Sequence, residues 1–360
     1  MIQSSDISII VQGAIDIAET PRCLASIRKH LPEAEIILST WNNEPVEGLD
    51  YDVLVSNEAP DAILLDNYSS KKIYNNLNRQ LLSTQEGLKK VTRKYTLKLR
   101  SDLIIDNTNF LENFEKYPKR IDEYKLFEHK ILVPTLLTRY FYNNGKNRCK
   151  MPFHISDWWF FGLTTDIKKY FENTPLVEEP DFTNYFKKEE NRGKCNPYGK
   201  ISHKFAPEQY YALSAFSQNF DDIKMLDASD YSEDLMEKFR KCLLNNFIVL
   251  DFKQSGIYLN KYSFSKNEKF IGDQYIDLYN PYRFQKDYKE ICDNDFVIVE
   301  KPVLENKKTY AKMRIYKHLY RLVNSRVRIF KKLESIFISL PLATLRYLIQ
   351  LIVSLFYYQK

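Results

Sequence analysis

The chain has 360 residues, of which 44% are hydrophobic and 28% are charged. This balance is ordinary for a globular protein and excludes wholesale disorder. The five cysteines include no CxxC pair, which excludes both a structural zinc framework and a disulfide scaffold. The length suits either one large α/β domain with an appendage or two modest domains.

The charge is unevenly distributed along the chain. The net charge is +6 overall, yet residues 301–360 hold eight Lys and five Arg against two Glu, a net charge of +11. Residues 1–300 therefore carry a net charge of −5. We expect a mildly acidic domain over residues 1–300 and a basic helical tail over residues 301–360. Such a tail indicates an acidic partner, either nucleic acid or an anionic membrane surface.

Strands and helices are predicted to alternate over the first hundred residues. The predicted strands are Ile7–Val11, Glu35–Trp41, Tyr51–Val55 and Tyr95–Leu99, and the predicted helices begin at Thr20 and at Ile73, the second running to about Val91. This alternation predicts a Rossmann-type sheet, mostly parallel and flanked by helices. Ligands of such sheets bind beyond the carboxyl ends of the strands.

The second half is less regular. Its predicted elements are an aromatic strand over Phe153–Gly162, a long polar loop over residues 172–200, a helix from Pro207 through Phe216, a strand over Phe247–Asp251 and a linker over Lys301–Lys308. No internal repeat is evident.

Three strand ends bring polar side chains to one edge of the predicted sheet. Transfer of a sugar from a nucleotide donor would need a carboxylate-held divalent metal at the diphosphate, a base for the acceptor hydroxyl and a ledge for the nucleotide. Asp102, directly after the fourth strand, is the candidate metal ligand and catalytic residue, with Ser101 beside it and Arg100 as a phosphate partner. Asp106, further on, is interpreted as structural.

The other strand ends and the second helix offer donor-binding candidates. Gln12 and Gly13 close the first strand, where glycine allows close approach of a ligand or simply forms a turn. Trp41 ends the second strand and either stacks on a base or packs inside. Asn75, Asn78 and Arg79 share one face of the predicted helix, which either faces the diphosphate or is a solvated surface.

Two further carboxylates are catalytic candidates. Asp157 shares one side of the aromatic strand with Trp159, a pairing typical of sugar binding, whereas Trp158 is predicted on the other side. Glu208 lies in the first turn of a helix, where it is either the base for the acceptor or a residue favoured by the helix dipole. His154 and His203 are interpreted as structural.

The tail combines basic and apolar residues. Residues 336–358 are apolar but contain Pro341 and Arg346, which favours a helix lying in the membrane interface over one that spans the membrane. A helical pair packed on the domain is the remaining alternative. The N-terminus lacks the features of a signal peptide, so we expect a cytoplasmic protein that is peripheral on the inner membrane.

Several blocks in fixed order resemble the WavE family of lipopolysaccharide-synthesis proteins. The blocks are Val11–Gly13, Cys23–Arg28, Glu35–Trp41, Asn78–Gln80, Leu97–Asp102, Ile155–Gly162 and Pro207–Gln209. The resemblance covers roughly residues 7–260 and implies a bacterial, hexosyltransferase-like glycosyltransferase of GT-A-like fold. It also implies a nucleotide-sugar donor, a lipid-linked acceptor and a role in lipopolysaccharide or capsule assembly.

The sequence departs from the general GT-A pattern at the expected metal site. Arg100 stands where many such enzymes have the first carboxylate of an Asp-x-Asp motif, and the only histidine after Glu208 is His318, in the tail. The expected divalent cation, Mn²⁺ or Mg²⁺, therefore has one evident ligand, Asp102.

Two rival functions remain open. A nucleotidyltransferase or phosphosugar transferase could use a similar sheet, although the glycine-rich, basic loop typical of such enzymes does not follow Gly13. A non-catalytic, membrane-associated assembly factor or a nucleic-acid binder could use the basic tail. The apolar stretch in that tail argues against nucleic acid.

Overall fold

The computed structural model describes residues 2–66, 73–143, 148–178, 182–191, 196–197, 203–260 and 277–301, together with the single residues 341 and 344. The expectations for the linker and for the helical tail fall almost entirely outside these residues and stay predictions. In the described part of the chain, no helix is both long enough and apolar enough to cross a membrane.

The described residues form thirteen strands and eight helices. The strands are β1 Ile7–Gln12, β2 Glu35–Trp41, β3 Val53–Asn57, β4 Ile63–Asp66, β5 Ile73–Asn75, β6 Tyr95–Arg100, β7 Leu103–Ile105, β8 Ile131–Pro134, β9 Phe141–Asn143, β10 Arg148–Lys150, β11 Trp159–Leu163, β12 Phe247–Leu250 and β13 Ile257–Leu259. The helices are α1 Thr20–His30, α2 Leu77–Leu88, α3 Asn109–Asn113, α4 Thr164–Phe171, α5 Pro207–Ser217, α6 Glu233–Asn246, α7 Phe252–Ser255 and α8 Pro281–Ile291.

A seven-stranded mixed sheet forms the centre of the fold, in the order β12-β8-β11-β6-β1-β2-β3. β6, β1, β2 and β3 are parallel to one another, and β8 is parallel to β12. β11 runs antiparallel to both of its neighbours, β6 and β8. The predicted mixed sheet flanked by helices is therefore confirmed. At one edge of this sheet, the carboxyl ends of the parallel strands lie beside the amino end of β11.

Tight packing of α2 on β1 fixes one side of that edge. All six residues of β1 are buried, as expected for a central strand. A Cβ atom added to Gly87 of α2 would lie 2.5 Å from Cγ2 of Ile10, a distance that real Cβ atoms do not reach. Glycine at this position thus lets the helix approach the strand closely, and the N-terminal turn of α2 lies beside the strand ends.

The predicted helix beginning at Ile73 is wrong in its first turn. Residues 73–75 form β5, which pairs antiparallel with β4, and α2 begins only at Leu77 after Asn76. Ile73, Leu77 and Leu81 share a helical spacing by coincidence, because the pairing of β5 with β4 overrides the local pattern. Asn75 is therefore a strand residue and does not share a helix face with Asn78 and Arg79.

The aromatic strand is shorter than predicted. Phe153 has a positive φ of 58°, a backbone conformation that cannot continue a strand, and β11 begins at Trp159. Asp157 and Trp158 precede the strand, so the alternation of faces does not apply to them. The predicted third strand is displaced as well, since β3 covers Val53–Asn57. By contrast, α1, β2, α5 and β12 match the sequence prediction to within one or two residues.

Candidate active site

A cavity of about 580 Å³ opens at the edge where β1, β2 and β6 end. The predicted site residues that line it are Gln12, Gly13, Trp41, Asn75, Arg79, Arg100, Ser101, Asp102, Asp157 and Glu208. The structure thus brings together residues separated by almost 200 positions in sequence. Asn78 is the one predicted donor-binding residue that does not line this cavity.

The loop after β1 is shaped by Gly13. Its φ is +115°, a conformation that non-glycine residues rarely adopt. The backbone N–H of Ser101 donates to the carbonyl of Gln12 at 3.0 Å, and the Ser101 hydroxyl donates to the carbonyl of Ala14 at 2.7 Å. The side-chain carbonyl of Gln12 accepts from the Ser83 hydroxyl at 2.8 Å. Ser101 and Gln12 therefore hold the loop, the end of β6 and α2 in a fixed arrangement.

The end of β6 presents a cation and a carboxylate side by side. Nη2 of Arg100 lies 2.8 Å from Oδ2 of Asp102, which is largely buried. The guanidinium also lies 5.1 Å from the ring of Trp158, within the range of a cation–π contact. These contacts orient a positive group towards the cavity while partly neutralising the buried carboxylate.

Asp157 and Glu208 form a second acidic group in the same cavity. Burial first and the neighbouring charge of Asp157 second raise the pKa of Glu208 to about 8. Arg139 and Arg100 act in the opposite direction and favour the ionised carboxylate. A carboxyl group whose pKa lies near neutrality is suited to exchange a proton with a bound substrate.

Near the start of α2 lie one half-buried cation, which lines the cavity, and two amides that hydrogen bonds hold in place. Nε of Arg79 donates to the carbonyl of Pro60 at 2.9 Å, and the side chain lines the cavity. Asn75 hydrogen bonds to Nδ1 of His203 at 3.0 Å. The amide of Asn78 both donates to and accepts from the backbone of Val177, at 2.9 and 2.8 Å.

The two lone histidines are buried and lie outside the lining of the cavity. Burial first and the charge of Arg139 second lower the pKa of His154 to about 3. Burial likewise lowers the pKa of His203 to about 4, with a smaller contribution from Lys187. Both rings are therefore neutral near pH 7, which agrees with their interpretation as structural residues.

The acidic residues do not form a metal site on protein ligands alone. Within the described ranges, no group of three His, Cys, Asp or Glu residues is arranged to hold a metal ion. Asp102 also shares one oxygen with Arg100. Mg²⁺, however, is commonly bound through one or two carboxylates plus the phosphates of a substrate. The donor set thus fits an ion carried in by a diphosphate, with Asp102 as its protein ligand.

Sequence reasoning missed three residues near the site. Trp158 lines the cavity together with Asp157, although the strand pattern placed them on opposite faces. The charge of Arg139 acts to lower the pKa of Glu208. Arg139 lies in a loop whose sequence gave no indication of a functional role. Lys98 is buried in the centre of β6, and a lysine in an otherwise apolar strand was the signal that could have identified it.

One comparison with known proteins identifies the family of this chain. The family described as WavE lipopolysaccharide synthesis matches residues 7–324, which is most of the chain. No curated protein matches the sequence. The family match includes every element that lines the cavity. The chain therefore belongs to the WavE family, and this membership implies a role in lipopolysaccharide synthesis.

Proposed function

We propose that the protein is a glycosyltransferase that moves a sugar from a nucleotide-sugar to a lipid-linked acceptor during lipopolysaccharide synthesis. The observation that carries the proposal is the cavity at the carboxyl ends of β1, β2 and β6, where the Arg100–Asp102 pair faces the same space as Glu208. This arrangement combines a group for the diphosphate with a group for the acceptor. The mixed sheet is also compatible with a GT-A-like fold.

The donor would lie across the ends of β1 and β2. Trp41 lines the cavity and would contact the base, and the turn at Gly13 lets the donor approach the backbone closely. Arg79 and Arg100 supply positive charge for the diphosphate. Asn75 would contact the donor through an amide already oriented by His203.

The diphosphate would bind at Asp102 and Arg100. A divalent cation, Mg²⁺ or Mn²⁺, would enter with the diphosphate and bind to Asp102, and such an ion supplies electrostatic neutralisation of the leaving group. Arg100 contributes to the same neutralisation through its guanidinium, which Trp158 and Asp102 hold in place.

Glu208 is the base in this proposal. The acceptor hydroxyl loses its proton to Glu208, and its oxygen forms a bond to the anomeric carbon of the donor sugar. The bond from that carbon to the diphosphate oxygen breaks, and the electron pair leaves with the diphosphate. Asp157 contacts the sugar from beside the ring of Trp158. The raised pKa of Glu208, about 8, matches the requirement for a base that releases the proton readily afterwards.

A thermal-shift screen against UDP-, GDP- and CMP-sugars, with and without Mn²⁺, tests donor binding. A ligand that binds only the folded state at 100 times its dissociation constant stabilises it by about 2.7 kcal/mol. The donor that stabilises the protein is then incubated with lipid-linked acceptors, and glycosylated lipid is the expected product. Release of UMP or GMP in place of UDP or GDP would instead indicate a phosphosugar transferase. Stabilisation by none of the nucleotides would contradict an enzymatic role.

We also propose that residues 301–360 hold the protein on an anionic membrane surface, where the acceptor lies. Thirteen basic residues and the apolar stretch at 336–358 support this assignment. The full chain should float with anionic liposomes, whereas a chain truncated after residue 300 should not. Equal flotation of both chains would contradict the assignment.

A further inference from the structure

Lys98 is a buried cation beneath the candidate active site. It lies in the middle of β6 and is 1% exposed. Its strand neighbours in register are Ile10 of β1 and Phe160 of β11. A leucine or valine would fill this position without the cost of burying an ammonium group. The lysine therefore needs an explanation other than packing.

The side chain of Lys98 reaches a single backbone group at the cavity. Its ammonium donates to the carbonyl of Asp157 and lies 5.8 Å from the ring centroid of Phe160. Within the described ranges no carboxylate forms an ion pair with it. Burial lowers the pKa of Lys98 to about 7, although the charges of Asp157 and Asp102 act in the opposite direction. Lys98 thus faces the two acidic centres of the site without contacting either carboxylate.

The segment that leads into β11 is fixed from β6 at two successive carbonyls. Lys98 binds the carbonyl of Asp157, and the backbone N–H of Arg100 donates to the carbonyl of Trp158 at 3.3 Å. The carboxylate of Asp157 and the ring beneath the Arg100 guanidinium are consequently held by the same strand that ends in Asp102.

We propose that Lys98 is a positioning residue for sugar transfer, which fixes the main chain of Asp157 and, in its protonated form, places a positive charge near Asp157 and Asp102. This inference rests on the proposed function for its catalytic consequence. Lys98 does not line the cavity, so it acts through Asp157 and does not touch the substrate.

Lys98→Met tests the proposal, with Lys130→Met as a matched control. Lys130 is 2% exposed, donates to the carbonyl of Lys119 and lies 4.6 Å from the ring centroid of Tyr288. It therefore has the same kinds of contact as Lys98 but lies away from the cavity. Both variants remove the cost of burying an ammonium group and leave one carbonyl without its donor, so we expect their thermal stabilities to change in parallel. Only Lys98→Met should lose kcat, by roughly 10- to 100-fold, as displaced catalytic groups do, with little change in KM for the donor.

The pH dependence of kcat separates positioning from a general structural effect. Lys98 faces Asp157, Asp102 and Arg100, and Glu208 faces Asp157, Arg139 and Arg100. With a pKa of about 7, Lys98 is partly protonated near neutral pH, and Lys98→Met removes this positive charge. The loss favours protonated carboxyl groups, so the acidic limb of the profile should move to higher pH in Lys98→Met alone. A kcat and a pH profile equal to those of Lys130→Met would overturn the proposal.

Hydrogen exchange provides a readout that does not depend on turnover. The amide of Arg100 should exchange faster in Lys98→Met than in Lys130→Met. Its acceptor is the carbonyl of Trp158, and this residue directly follows Asp157, whose carbonyl loses its donor in Lys98→Met. Equal exchange in the two variants overturns the positioning role even if no sugar donor is found, whereas an inactive wild-type protein contradicts only the proposed function. Lys98→Gln, which keeps a donor without the charge, serves if Lys98→Met does not fold. It should restore protection of this amide and retain the shifted pH profile.

Discussion

The guanidinium of Arg100 donates to the carboxylate of Asp102 across 2.8 Å, and both side chains line the same cavity. In a GT-A enzyme with an Asp-x-Asp motif, a carboxylate would occupy the position of Arg100. Here the two positions form an ion pair at the strand end. A positive charge is therefore built into the protein at the place where the diphosphate is proposed to bind.

Asp102→Asn should abolish sugar transfer while leaving the fold intact, because it removes the only carboxylate assigned to the diphosphate-bound cation. Product formation and the melting temperature are the two measurements. Asp106→Asn is the matched control, since Asp106 is exposed and lies outside the lining of the cavity. Full activity in Asp102→Asn would remove Asp102 from the mechanism.

Arg100→Lys should weaken binding of the nucleoside diphosphate by roughly 10- to 100-fold. A lysine keeps the charge but loses the planar group that pairs with Asp102 and lies over Trp158. Charge-assisted hydrogen bonds contribute about 1.5–3 kcal/mol, which corresponds to this range. Titration calorimetry with the diphosphate product measures the effect. Arg28→Lys, which alters an arginine paired with Asp50 and Asp52, should bind as tightly as the wild type.

Chelation should stop turnover if a cation enters with the diphosphate. EDTA is expected to abolish product formation, and Mn²⁺ or Mg²⁺ should restore it. The apparent affinity for the free metal alone should be weak, because the described residues do not form a three-ligand site. Undiminished turnover in EDTA would mean that Arg100 and Arg79, rather than a cation, neutralise the charge of the leaving diphosphate.

The rate of transfer should rise with pH through the pKa of Glu208. That pKa is raised to about 8, first by burial and then by Asp157, so the fraction of Glu208 that can accept a proton increases up to and beyond this pH. Glu208→Gln should be nearly inactive, and its residual rate should no longer follow this limb. An unchanged pH profile in Glu208→Gln would exclude Glu208 as the base.

The raised pKa of Glu208 also predicts how the stability of the fold depends on pH. The folded state holds a proton on Glu208 between its ordinary pKa of 4.5 and about 8, whereas the unfolded chain has released it. Stability should consequently decrease as pH rises through this interval. The melting temperature of Glu208→Gln, compared with the wild type at pH 5 and pH 9, should show a smaller decrease. Equal decreases would contradict the shifted pKa.

Asn78 and Arg79 are adjacent in sequence, but their substitutions should affect different quantities, stability for Asn78 and donor binding for Arg79. Asn78→Ala removes two hydrogen bonds to the backbone of Val177, and an unsatisfied buried group costs about 1–3 kcal/mol. We expect lower stability with an unchanged KM for the donor. Arg79→Ala should raise that KM with little loss of stability. Denaturant unfolding and steady-state kinetics measure the two quantities, and a raised KM in Asn78→Ala would restore its predicted role in donor binding.

The sequence was most informative where local pattern and burial agree. β1, β2 and β6 are short apolar runs in the buried centre of the sheet, and their ends at Gln12, Trp41 and Asp102 were predicted to share one edge. The parallel pairing brings them to one cavity. Pro207 marked the start of α5 and thereby the place of Glu208.

Non-local pairing explains what the sequence did not predict. β5 exists because it pairs with β4, and its three residues continue a helical spacing that hides the strand. β11 is antiparallel, and nothing in its apolar sequence distinguishes it from a parallel strand. The contribution of Arg139 to Glu208 depends on tertiary contacts between a loop and α5, which no local pattern records.

The reversed direction of β11 determines where this protein can vary. Because Trp159 pairs with Leu99 and Leu163 with Tyr95, chain inserted before β11 emerges beside the cavity, whereas chain inserted after it emerges at the opposite edge of the sheet. Changes in length between residues 135 and 157 can therefore remodel the side of the cavity at Asp157 while β6 and the Arg100–Asp102 pair stay in place. Under the proposed function, family members that use different acceptors are expected to differ mainly in that stretch.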